Sequence, residues 1–248
     1  MIQVSIVSAT ETGAASVVSL GTYAPPLDAS MPWLLPRHQD EAKLVSRLTE
    51  MPTRLGDLGY SISTGPLVWN RRKGRFCDKT RKGAIPVLWA EAIAADGRFT
   101  IDYQKRDGLG WFLPEPGKDD ANIVAERVGL LQRTTAKEQP RRLVAAAVTR
   151  SFCRNHPRFT VENHVNMIRS AGGNKIDVDT IVAILNSSIV DRAFRCVSGS
   201  VAVSAFELEH GLPMPDRDAV LAIQKLVRNG AAPGEVDIAL RRSYGADK

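Results

Sequence analysis

Cysteine is scarce in this chain: Cys77, Cys153 and Cys196, three residues in 248, are widely spaced and odd in number. That pattern suits reduced thiols and argues against a disulfide framework. A zinc centre is poorly supplied as well. Cys153, His156 and His164 come nearest to one, but a tetrahedral site wants a fourth ligand at regular spacing, so a thiol near two polar histidines is the simpler reading. Also missing is any apolar run near the roughly 20 residues needed to span a bilayer, or a basic-then-apolar N-terminus. A cytoplasmic chain with no membrane partner is therefore expected. No Gly-x-Ser-x-Gly elbow occurs, and no loop ending in Gly-Lys-Ser/Thr. Gly199-Ser200 stands among small residues and reads as a turn. Glu162-Asn163-His164 gathers acid, amide and imidazole, yet consecutive strand residues alternate faces, which argues against a three-residue catalytic unit.

What is present is a globular composition, 44% hydrophobic and 24% charged, enough for a real core. The net charge of +6 is concentrated in one place. Between Trp69 and Lys82 lie Arg71, Arg72, Lys73, Arg75, Lys79, Arg81 and Lys82 against the single acid Asp78, and removing those seven bases and one acid leaves 26 of each sign. A local excess of this kind, flanked by Trp69 and containing Phe76, is the electrostatic footprint of a polyanion partner or a solvated loop.

Hydrophobic spacing predicts short strands over 2–8 and 17–20, then a linker from Tyr23 to Pro36 punctuated by Pro25, Pro26, Pro32 and Pro36. A helix over 40–51 ends at Pro52. Further strands are predicted over 59–70, 85–90, 99–103, 123–125, 128–133 and 159–165, with a helix over 138–147 between them. Clearer helices follow over 178–187, 189–196 and 216–228. Strands followed by helices, without regular alternation, predict an α+β fold with a mixed or mainly antiparallel twisted sheet and helices packed C-terminally. The expected divisions are an N-terminal segment and linker over 1–36, a main domain over 37–215 and a helical tail over 216–248.

Four longer blocks carry a resemblance: Gly59–Lys73 (GYSISTGPLVWNRRK), Gln132–Leu143 (QRTTAKEQPRRL), Glu162–Asn166 (ENHVN), and a fourth running from Ile184 (ILNSSIVDRAFRCVSGS) through VSAFELEHGLPMP to Pro215. In order and spacing they resemble the C-terminal target-recognition region of adenine-specific DNA methyltransferases of type II restriction-modification systems. The last block also resembles the end of a recognition domain in type I specificity subunits. The resemblance implies a target-recognition-type fold that reads bases in double-stranded DNA, while a separate methyltransferase catalytic domain or subunit binds S-adenosylmethionine and flips adenine. No cofactor and no catalytic residue is then expected in this chain. Its one Pro-Pro pair, Ala24-Pro25-Pro26-Leu27, lacks the polar and aromatic neighbours of a catalytic loop. Two alternatives stay open. One is a type I specificity-like subunit, against which stands the lack of a second recognition repeat; the other is a truncated chain that itself acts as the methyltransferase. Residues 1–22 read either as the start of a split-gene subunit or as the last strands of a lost domain.

Within the blocks, Asn70, Arg71, Arg72, Lys73 and Arg75 are the first candidates for DNA contact, since Arg and Lys meet phosphate or guanine and Asn pairs with adenine's groove edge. Trp69 reads as a core anchor for the loop. Arg133, Lys137, Gln139 and Arg141 add charge and amide readout at a turn that they could equally cap. Asn163, His164 and Asn166 either contact DNA or lock a loop, and Ser200 lets backbone approach a phosphate or makes a plain turn.

Overall fold

The computed structural model describes residues 1–9, 13–26, 28, 31–77, 81–102, 108–135, 140–200 and 202–246. It opens with β1 (Ile2–Ala9) and β2 (Ala15–Tyr23), an antiparallel hairpin that forms a two-stranded sheet of its own. Ile6 pairs with Val18 and Val7 with Val17, and neither strand carries a charge. Then come α1 (Ala42–Glu50), β3 (Tyr60–Thr64), β4 (Phe76–Cys77), β5 (Ile85–Leu88), β6 (Trp111–Phe112), β7 (Gly129–Gln132) and β8 (Ala145–Ala147). The chain continues through α2 (Arg150–Asn155), β9 (Thr160–Val161), β10 (Val165–Ser170), α3 (Val178–Leu185), α4 (Ser188–Val197), α5 (Arg217–Arg228) and α6 (Pro233–Ser243).

The central sheet runs β3-β10-β7-β8 and is antiparallel throughout. Its side chains alternate between two apolar clusters, as period-two backbone demands. Leu131, Leu143, Ala145 and Ile168 enter one cluster, while Leu130, Val144, Ala146 and Met167 enter the other. This corrects the helix expected over 138–147: residues 138 and 139 lie outside the described residues, and 145–147 form β8. A strand covered on both faces reads as an almost unbroken apolar run, and Leu143, Val144 and Ala147 in such a run mimic helical spacing.

One face of this sheet is covered by helices. Leu48 of α1, Ile181 and Leu185 of α3, Val190 and Phe194 of α4, and Val220 and Ile223 of α5 join the first cluster, as do Val236 and Leu240 of α6. The helical tail expected over 216–248 includes a second helix, α6, to which the sequence reading gave no bounds. Its signals were Pro233 in the first turn and Glu235, whose carboxylate accepts the Ala232 N–H at 2.8 Å, a pattern that starts helices. The other face meets a second sheet, ordered β4-β6-β5-β9, with β5 and β9 parallel and the other pairs antiparallel. The α+β class expected from the sequence is the one observed. The far side of the second sheet carries Leu67, Ile85, Val87, Trp89 and Phe112, with Trp69 and Phe76 packed against them.

Three predicted strands are shorter than expected. The segment 59–70 ends its strand at Thr64, and residues 69–71 form a 3-10 turn. The segment 123–125 contributes one bridge, Val124 with Phe159, and 99–103 contributes Phe99 with Ile93, Tyr103 lying outside the described residues. Among the described residues no helix is long and apolar enough to cross a membrane.

Candidate nucleic-acid interface

Gly65 decides where the first block can lie. Its N–H donates to the Val165 carbonyl at 2.7 Å, and an added Cβ would stand 2.2 Å from the Glu162 carbonyl oxygen and 2.6 Å from that of Val161. Only glycine permits so close a backbone approach. Leu67 then donates to Val161 at 3.0 Å and accepts the Asn163 N–H at 3.0 Å, so the ENHVN turn hangs on the first block. Arg133, just past β7, donates its N–H to His164 at 3.3 Å and its Nη1 to the Asn163 carbonyl at 2.9 Å. The Arg133 carbonyl accepts the Val203 N–H at 2.6 Å, and Thr134 bridges Ala202. Arg142 closes the chain of contacts, donating to Thr135 Oγ1 at 2.9 Å and to the Ser200 carbonyl. Segments up to a hundred residues apart are thus stitched side by side, mostly through their backbones.

The basic segment lies beyond Leu67 as two 3-10 turns, Trp69–Arg71 and Lys73–Arg75. Trp69 anchors it, edge-on to Trp89 at 6.4 Å, and Lys73 Nζ stands 5.3 Å from the Trp69 ring centre, within cation–π range. Arg72 Nε donates to Asp119 at 2.8 Å. Burial alone would push the Asp119 carboxyl up, but the Glu115 N–H and the Arg72 guanidinium outweigh it and hold the group below the usual carboxylate range. Arg75 Nε donates to the Leu113 carbonyl at 2.9 Å, and Lys118 pairs with Glu115 at 2.6 Å. The run Arg71–Arg75, with Glu115, Lys118 and Asp119, rims a cavity of about 360 Å³. Among the described residues, Arg71 and Lys73 are exposed and have no carboxylate within ion-pair distance. Arg81 and Lys82, at the end of the basic run, are exposed as well.

Glu162 is 2% exposed at its side chain, whereas His164 is 62% exposed. The buried carboxylate accepts the His164 N–H at 2.9 Å and faces its Nδ1 at 2.7 Å. This pair fixes the ring from below and leaves its outer edge toward solvent.

The other residues singled out in the sequence fall in several places. Asn70 is exposed beside Arg71, and Asn163 is half-buried on the ENHVN turn. Asn166 is wholly buried, its Nδ2 donating to the Val203 carbonyl at 2.8 Å, so it locks the fourth block to β10. Arg141 is half-buried and spans to Asn186 Oδ1 at 2.6 Å, tying the second block to the end of α3. Ser200 is exposed, and its hydroxyl donates to the Ala202 carbonyl at 2.5 Å. Lys137 and Gln139 lie outside the described residues, as do Asp78 and Lys79 of the basic run. Sequence reading missed two acids that brace this surface, Asp119 and Asp191, and read Glu162 only as one member of an acid, amide and imidazole run. Asp191 Oδ1 accepts the N–H groups of Arg142 and Leu143 at 2.5 and 2.7 Å. The one sequence signal for it was an Asp191 and Arg195 pair four apart on a helix.

No family model matches the chain, but it is similar in sequence to type II methyltransferases. M.PstI of Providencia stuartii is 25% identical over 206 residues, 78% of this chain and 38% of the relative. M.BsuBI of Bacillus subtilis is 25% identical over 209 residues, 80% of this chain and 40% of the relative. The chain therefore spans about two fifths of the length of these relatives. A chain from a solved type I R-M system aligns with 84% of this one at 10% identity and a TM-score of 0.39, too loose a likeness to argue from.

Proposed function

We propose that this chain is the DNA sequence-recognition module of an adenine-specific restriction-modification methyltransferase, reading bases for a methyltransferase portion that carries the chemistry. The observation that carries this reading is the backbone stitching of separate blocks, with Asn70, Arg71 and Lys73 exposed on the segment that follows Leu67, and His164 exposed on the turn that is bonded to Leu67. Exposed cations fix register on phosphate while neighbouring amides and imidazole reach base edges. Similarity to type II methyltransferases over about four fifths of the chain supports the same reading. Adenine as the modified base rests on the resemblance of the blocks.

The partner is the methyltransferase portion, and the hairpin β1–β2 is the surface we assign to it. Val7 and Val17 are each 68% exposed on a two-stranded, uncharged sheet. Natural sheet edges are normally blunted with charge or proline, and a lone hairpin is marginal in water. S-adenosylmethionine belongs with that partner. The residues here do not fit a resident methyl donor: the Pro25-Pro26 pair follows β2 without a polar or aromatic neighbour in its motif, and no glycine-rich strand-to-helix turn occurs in the sequence.

The test is selection of duplexes from a randomised pool by the full chain at moderate salt. A recovered pool enriched in one short sequence is the expected result. A pool retained without sequence bias would mean that the chain holds DNA but does not read it, and no retention would remove the function altogether.

A further inference from the structure

Resting on the DNA-recognition reading, a finer role can be given to one residue of the same surface. We propose that His164 is a tautomer-locked contact to a DNA phosphate, and that the chain takes up one proton at this ring when it binds DNA.

The geometry comes from the buried acid beneath the ring. Glu162 has one oxygen 2.9 Å from the His164 backbone nitrogen and the other 2.7 Å from Nδ1. An ionised carboxylate only accepts hydrogen bonds, so a neutral ring must carry its proton on Nδ1. That assigns Nε2, across the ring, the role of acceptor toward solvent. Which ring nitrogen meets the outside is set by the bond the other one makes. When Nε2 takes a proton from water, the ring becomes a cation that still donates to Glu162 from Nδ1 and now also donates outward from Nε2. A phosphate oxygen is an acceptor with no proton to give, so it can engage only the protonated ring.

The surroundings suit that ligand. Arg133, just past β7, donates its Nη1 to the Asn163 carbonyl at 2.9 Å and its backbone N–H to that of His164 at 3.3 Å, so a guanidinium is bonded to the residue that precedes the ring. The segment 65–68, packed against the turn, has no charge of its own and leads into Arg71 and Lys73. The adjoining residues Ala202 and Val203, and strands β3 and β5, carry no titratable charge in their described lengths apart from the Tyr60 phenol. Glu162, which is almost wholly buried, is therefore the acid in contact with His164, and Arg133 is the cation next to it among the described residues.

The experiment is a set of fluorescence-anisotropy titrations of the full chain with a duplex, at fixed ionic strength between pH 8 and pH 5.5. Arg and Lys do not change charge in that window, whereas histidine does. Affinity of the wild type is expected to rise as pH falls, by about fivefold or more, with a limiting slope of one proton in log Kd against pH. His164→Gln should keep its fold and bind DNA with that slope abolished, while His38→Gln and His210→Gln should retain it. Nitrogen-15 spectra of the free chain at pH 8 supply a readout independent of DNA, in which His164 should carry its proton on Nδ1. DNA binding with no pH slope, or with a slope that survives in His164→Gln, would overturn the inference and leave the recognition function standing. A proton on Nε2 at pH 8 would also overturn it. Absence of DNA binding at every pH would sink both.

Discussion

Gly65 is the residue at which the first block and the ENHVN turn touch, and its missing side chain is what allows it. A Cβ there would overlap two backbone carbonyl oxygens, at 2.2 and 2.6 Å, and neither belongs to a flexible side-chain end that could swing away. Gly65→Ala should therefore destabilise the fold by about 1–3 kcal/mol, which for a chain of this size lowers the melting temperature by roughly 2–4 °C per kcal/mol. Calorimetry checks this, and an unchanged melting point would mean that the two strands can part at little cost. The two neighbouring arginines separate fold from function. Arg72 reaches nearly buried Asp119, whereas Arg71 reaches no acid among the described residues. Arg72→Ala should lower both stability and DNA affinity. Arg71→Ala should change stability by less than about 0.5 kcal/mol, as surface substitutions do, and weaken DNA binding alone. Equal melting points for the two variants would show that the Asp119 bond braces nothing.

Among the elements, α4 owes its start to a side chain from another helix. Asp237 of α6 accepts the Ser187 hydroxyl at 2.5 Å and the Ser188 N–H at 2.7 Å, and pairs with Arg241 at 2.9 Å. Burial pushes its carboxyl up, but the Ser187, Arg241 and Ser188 bonds prevail and bring it to about 2, against an ordinary value of 3.8. A depressed carboxyl stabilises the folded state above its unfolded pKa and loses that contribution as pH falls through the folded one. The fold should thus surrender about 1–2 kcal/mol between pH 4 and pH 2, allowing for solvent screening, and Asp237→Asn should show a smaller loss over the same window. Identical acid melting curves for the two proteins would contradict the linkage. At the other end of the chain, β1 and β2 form no sheet pairs except with each other among the described residues. Their amides should exchange with solvent far faster than those of β10, which is paired on both sides. Protection of the hairpin equal to that of β10 in a monomeric sample would mean that it is stable without a partner, and the assignment of that surface would fall.

At the scale of the whole molecule, the order of the blocks and their residue types were legible in the sequence, because local charge and turn chemistry are written in consecutive residues. Their meeting was not. Nothing local links Arg72 to Asp119, 47 positions away, or the second block to Asp191. Residue type also does not reveal exposure: Asn163 and Asn166 look alike in the sequence, yet one is half-buried on a turn and the other wholly buried on a backbone carbonyl. The strand β8 was mistaken for a helix because burial on both faces erases the alternation that identifies strands. If the chemistry belongs to the methyltransferase portion, as proposed, a labelled-donor assay of the pure chain on DNA should find no turnover, and clear turnover would contradict that division of roles. The central claim, that this surface holds DNA through the charges it leaves unpaired, is met most directly by the salt dependence of binding. Log affinity for a duplex should fall linearly with log salt, at about 0.9 per phosphate neutralised. The double variant Arg71→Ala/Lys73→Ala should flatten that slope by close to two phosphates' worth, roughly 1.8. A double variant that binds as tightly as the wild type and with the same slope would place the DNA on another face of the molecule.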